Sequence, residues 1–231
     1  MNIVRNDKLI RRNSIIAQGS IIGGLLILGL GLYVSFQMQE QFWLSMIALV
    51  IGFILSQLGI YYSNRFGRRP RPDEILDTAL KGLDSKYTIY HYSSPVDHLL
   101  VGPSGVWIIL PRYQRGTITY VNGRWKQRGG NLYLKLFAQE SLGRPELELG
   151  SDINSLKNFL AKKMDADSIP EINAALVFTN PRTEIQIPED ETPPAETIQV
   201  VKLKDTVRKS KNKSLPAEKV KQIQAIIEGQ A

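Results

Sequence analysis

Residues 97–110 read Asp97-His98-Leu99-Leu100-Val101-Gly102-Pro103-Ser104-Gly105-Val106-Trp107-Ile108-Ile109-Leu110. Two short apolar runs flank a Gly-Pro-Ser-Gly reversal, the signal for two strands joined by a turn. The second run is apolar at successive positions rather than alternate ones, and so is Ala174-Ala175-Leu176-Val177-Phe178. A strand that is apolar on both faces needs cover on both faces, which predicts a sheet lying between helices.

The surrounding pattern supplies those helices. Residues 73–83 carry Ile75, Leu76, Ala79, Leu80 and Leu83 on one stripe, with Pro72 at the start and Asp73, Glu74 and Asp77 in the first turns. Residues 148–164 repeat Ile153, Leu156, Phe159 and Leu160 at helical spacing, and 217–228 do so with Val220, Ile223, Ile226 and Ile227. Strands are expected at 86–92, 97–101, 106–110, 131–137, 172–178 and 198–203. A tight hairpin joins 117–121 to 124–127 across Asn122-Gly123. Residues 180–196 read as a long surface loop and 202–213 as a solvated basic stretch. The expected fold of residues 73–231 is an α/β domain: a mixed sheet flanked by helices, with a hairpin extension.

The first part of the chain is different in kind. No charged residue occurs between Arg12 and Glu40, or between Glu40 and Arg65. Each run exceeds the roughly 20 apolar residues that cross a bilayer core about 30 Å thick. The reading is a basic N-terminal tail at 1–13, transmembrane helices at 14–36 and 42–63, an external turn at 37–41 and a basic juxtamembrane linker at 64–72. Arg5, Lys8, Arg11 and Arg12 precede the pair and Arg65, Arg68, Arg69 and Arg71 follow it, while the turn has no basic residue. That asymmetry predicts a two-span protein of the cell (inner) membrane with both termini cytoplasmic. Most of the net charge of +7 therefore sits beside the spans, where membrane lipids are the expected partner. Gly19 with Gly23, and Gly52 with Ser56, are small-xxx-small pairs suited to close helix packing. No Asp, Glu, Lys, Arg or His lies within either span, so the pair reads as an anchor rather than an ion path.

Cysteine is absent, which excludes disulfide frameworks, thiolate metal sites and cysteine nucleophiles, and only His91 and His98 represent histidine. His98 reads as a packed or hydrogen-bonded core histidine. Phosphate-loop, dinucleotide-binding and zinc-protease motifs do not occur.

The helix carrying Glu74, the strand opening Asp97-His98, the Gly102-Pro103-Ser104-Gly105 turn and the strand ending Leu110-Pro111-Arg112 together resemble the central motif of the nuclease-related domain, NERD. That family is similar to the PD-(D/E)xK nucleases, so the resemblance implies a restriction-endonuclease-like fold. It covers residues 73–125, and more loosely the helix after Arg144-Pro145 and the strand ending Val177-Phe178-Thr179-Asn180. In the family's pattern an acid on the first helix, an Asp on a strand and a Glu-x-Lys at the end of the next strand serve a metal-dependent hydrolytic site. Glu74 and Asp97 match the two acids, so any metal ligands, for Mg²⁺ or Mn²⁺, would be these. Leu110 stands where the pattern has Glu and Arg112 where it has Lys. Leucine has no oxygen for a cation, and arginine stays protonated, so it binds phosphate but is no base. Glu140 or Glu148 would have to supply a displaced ligand.

The resemblance thus implies a catalytically degraded nuclease-related domain that binds nucleic acid or protein at the membrane. The alternatives are an active metal-dependent nuclease with rearranged ligands and a protein-interaction scaffold without a nucleic-acid role. Arg124, Lys126 and Arg128 alternate with Trp125 and Gln127, which puts three cations on one face of the hairpin. With Arg112 they are the candidate nucleic-acid contacts. The same stripe also suits a solvated edge strand that resists aggregation.

Overall fold

The structure, a computed structural model, describes residues 1–129, 142–210 and 214–229. It divides into two compact units, a helical one from Asp7 to Arg71 and an α/β one formed by Met1–Asn6 together with the chain from Pro72 onward.

The helical unit is an antiparallel pair, α1 (Asp7–Gln37) and α2 (Phe42–Tyr62), joined by a 3₁₀ turn at Gln39–Gln41 and followed by a π-helical turn at Ser63–Gly67. Two helices of this unit are long and apolar enough to cross a membrane, each with a mean hydropathy of 2.1 in its most apolar window. Glycines set the closeness of the pair. A Cβ at Gly52 would stand 2.6 Å from Leu28 Cγ, one at Gly59 would stand 2.6 Å from Ile21 Cγ1, and one at Gly24 would meet Ser56 Oγ at 2.9 Å. The Gly52–Ser56 pair therefore lies in the helix contact. The Gly19–Gly23 pair does not, since nothing lies within 4 Å of a Cβ at either position. Leu25, Leu26, Leu30, Leu32 and Phe53 are all exposed, so the apolar surface of the pair faces outward.

The α/β unit is built on a six-stranded mixed sheet in the order β1 (Asn2–Arg5), β2 (Thr88–His91), β3 (His98–Gly102), β4 (Gly105–Arg112), β7 (Ile172–Phe178) and β9 (Glu196–Gln199). Strands β2, β3 and β4 run antiparallel in succession, whereas β1 is parallel to β2, β7 to β4, and β9 to β7. A second sheet has the order β6 (Arg124–Arg128), β5 (Gly116–Val121), β8 (Thr183–Gln186). The helices are α3 (Pro72–Leu80), α4 (Pro145–Ala161), α5 (Leu203–Lys209) and α6 (Ala217–Glu228).

Both faces of the large sheet are covered, as the successive apolar positions require. Val106, Ile108 and Leu110 of β4 join Leu176 and Phe178 of β7 in one core with Leu156 and Leu160 of α4 and Val220, Ile223 and Ile227 of α6. Trp107, Ile109, Ala175 and Val177 point the other way, into a core with Leu76 and Leu80 of α3 and Leu203 and Val207 of α5. Each strand thus divides its side chains between two cores by the two-residue period.

Three segments depart from the sequence reading. The tail assigned to 1–13 contains a strand, because Asn2–Arg5 binds the free backbone edge of β2 and helix α1 starts at Asp7. The loop assigned to 180–196 contains β8, whose Thr183 is buried while its backbone pairs in parallel with β5. The strand assigned to 198–203 ends at Gln199, and the basic stretch beyond it is helical from Leu203 to Lys209, because Leu203 and Val207 bury one narrow face between charged neighbours. The strand expected at 131–137 and the residue Glu140 lie outside the described residues.

Candidate functional site

Strand β4 carries two of the positions singled out in the sequence. Leu110 is in the core at 9% exposure, part of the cluster that α4 covers. Arg112 ends the strand, and its Nη2 is ion-paired with Glu148 Oε2 in the first turn of α4. Its Nη1 donates to the Pro111 carbonyl at 3.4 Å. The Arg112 carbonyl accepts from the Thr179 backbone N–H at 2.8 Å and from Thr179 Oγ1 at 3.2 Å. The strand end is therefore closed by a cation, a carboxylate and the chain leaving β7.

Glu74 is half-buried on α3, and Asp97 is exposed just before β3. Neither belongs to a group of three or more His, Asp or Glu side chains able to hold a metal ion among the described residues. At the end of β4 the donors do not fit a divalent cation: Leu110 brings no oxygen, and Glu148 is already neutralised by a guanidinium.

One buried polar cluster of the α/β unit is one that the sequence reading did not assemble. Arg5 on β1 is ion-paired through Nε with Asp73 Oδ2 at 2.9 Å and through Nη2 with Asp77 Oδ2. His91 Nε2 lies 3.0 Å from Asp77 Oδ1, and His91 Nδ1 lies 2.8 Å from His98 Nδ1. Asp73 and His91 are fully buried, and His98 nearly so. The chemistry fixes the hydrogens. Asp77 accepts, so His91 Nε2 carries a proton, and a single proton lies between the two Nδ1 atoms because two would repel. Tyr92 packs edge-on to His98 with ring centroids 4.9 Å apart. The only advance signal was the spacing of Asp73 and Asp77, which puts two carboxylates on one face of α3. Their partner was out of reach of local reasoning because Arg5 precedes both long helices.

The third arrangement is the cationic stripe. Arg124, Lys126 and Arg128 are exposed on β6 while Trp125 between them is buried, with its ring 4.7 Å from that of Tyr120. The tight turn has Asn122 at φ 54° and Gly123 at φ 73°, both left-handed as this hairpin requires. Glu191 Oε1 accepts from the Asn122 backbone N–H at 2.7 Å. Among the described residues, strand β6 pairs with β5.

Compared with family models, with curated proteins and with solved structures, the chain matches none of them.

Proposed function

We propose that this chain is a membrane-anchored binding protein whose α/β unit is a hydrolytically inert version of a nuclease-related domain, and that it contacts nucleic acid at the cytoplasmic face through the β6 stripe. The observation that carries the reading is the ion pair between Arg112 and Glu148. Where the resemblance implies a lysine and a metal-bound carboxylate, the strand ends in a neutralised pair beside a buried leucine. The order of α3, β3, the Gly102–Gly105 turn, β4, α4 and β7 supports the kinship, since it is the order in which the resemblance runs. The outward-facing apolar surface of α1 and α2 supports the anchor, because water would not tolerate it and lipid would.

The test is a titration of labelled duplex and single-stranded DNA with the full chain in detergent, with Mn²⁺ present. Intact DNA and salt-sensitive binding are expected. Three phosphate contacts give a slope of about −2.7 in log affinity against log salt on duplex, so affinity should fall roughly 40-fold from 50 to 200 mM. The triple substitution Arg124→Gln, Lys126→Gln, Arg128→Gln should remove most of that dependence. Cleavage would replace this reading with a metal-dependent nuclease using rearranged ligands. A second reading, a protein-interaction scaffold, is favoured by the near balance of charge in residues 72–231. DNA binding absent at both salts would select it.

A further inference from the structure

The turn that opens β4 borders a cavity of about 410 Å³, lined by Tyr87, Pro103, Ser104, Arg208 and Ser214. It lies at the opposite end of β4 from Arg112, and eight strand residues separate the two by roughly 25 Å. The volume is in the range of small-molecule sites. Two walls are apolar. Tyr87 lies against Gly102, where a Cβ would collide with its ring, and Pro103 follows.

The polar groups are cationic or hydroxylic. Arg208, in the last turn of α5, donates from Nη2 to the Gly82 carbonyl at 2.8 Å, its one hydrogen bond among the described residues, and its guanidinium carries further N–H donors. Ser104 is 5% exposed, and among the described residues its Oγ has no hydrogen-bond partner. A buried hydroxyl without a partner is destabilising, and a polar ligand at this wall would relieve it. The chain on either side of Arg208 and just before Tyr87 carries Lys81, Lys86, Lys204 and Lys209, against Asp84 and Asp205. The local field therefore favours an anion.

We propose that this cavity binds a small organic anion, a phosphate ester or carboxylate on an apolar body, with the Arg208 guanidinium on the oxyanion and Tyr87 and Pro103 against the body. Carboxylate and phosphate both present two adjacent oxygens, which suit the two-pronged geometry of arginine better than the point charge of lysine.

The experiment is calorimetric titration of the full chain in detergent with AMP, benzoate and inorganic phosphate. Binding of AMP or benzoate is expected, with inorganic phosphate about tenfold weaker because it lacks the apolar body. Arg208→Gln should weaken binding about tenfold, Arg208→Lys by less and Ser104→Ala by about threefold. Lys157→Gln, on the exposed side of α4, should leave it unchanged. If Arg208→Gln lowers the unfolding midpoint, Arg208→Lys carries the comparison. Failure of both AMP and benzoate to bind at millimolar concentration overturns the proposal, as does equal affinity in the wild type and the arginine variants. Inorganic phosphate binding as tightly as AMP would overturn the role of Tyr87 and Pro103.

Discussion

Tyr90 shows how one side chain ties the sheet to a helix far along the chain. It is fully buried on β2, and its hydroxyl donates to Glu228 Oε1 on α6 at 2.9 Å. Burial first, then the hydrogen bond and negative charge of Glu228, raise the phenol's pKa above its usual value of about 10. The unfolded chain therefore releases this proton at lower pH than the folded one. Above pH 10 the unfolded state binds fewer protons, so stability falls as pH rises, by up to about 1.4 kcal/mol per pH unit from this group, and the contribution is complete below that pH. Tyr90→Phe should cost about 1 kcal/mol at pH 7, since Glu228 is exposed and regains water. The same variant lacks the alkaline loss, so urea midpoints of wild type and variant, followed by tryptophan fluorescence, should converge between pH 9 and 11. A gap that stays constant over that range would mean that the phenol titrates alike in both states.

At the scale of elements, β1 is a four-residue strand that holds its place through backbone pairing and through Arg5. The α/β unit is therefore incomplete if it is cut at the end of the helical pair. A fragment of residues 72–231 loses the edge partner of β2 and the Arg5–Asp73 ion pair. Losing a strand edge together with a partly buried ion pair costs about 2–3 kcal/mol, a sizeable share of the roughly 5–15 kcal/mol that holds a domain folded. The fragment should unfold at much lower urea than a chain in which Met1–Asn6 is joined to Pro72 by a short Gly-Ser linker, and Arg5→Met in that fusion should fall between the two. Equal midpoints for fragment and fusion would show that β1 contributes nothing. This element also marks the limit of reading the sequence. Strands β4 and β7 were legible because their apolar runs satisfy two cores at once, and the β5–β6 hairpin because Asn122-Gly123 dictates its turn. Strand β1 was not, since four residues carry no period and their partner lies far along the chain. The Arg112–Glu148 pair was half legible. Both residues were marked as candidates, but only the packing of α4 on the sheet brings them together.

For the whole molecule, the helical pair is an insertion between β1 and the rest of the sheet it completes. Closing a long loop costs an entropy that grows only slowly with length, and a hairpin that returns its two ends to one side reduces that cost further. A hydrogen-bonded sheet cannot be divided by a bilayer, so if α1 and α2 cross the membrane, the segments before and after them lie on one side. The basic residues at both ends of the pair then select the cytoplasm as that side. Cleavage after α1, as of a signal peptide, would remove β1 and Arg5 from the sheet. The chain contains no cysteine, so single introduced thiols can be labelled without background. In intact cells a membrane-impermeant maleimide should modify Glu40→Cys in the turn and spare Lys157→Cys on α4, and both should react once the membrane is opened. The reverse pattern would put the α/β unit outside. Labelling of both in intact cells would mean that the pair does not span at all, and the outward-facing leucines of α1 would then need a protein partner rather than lipid to cover them.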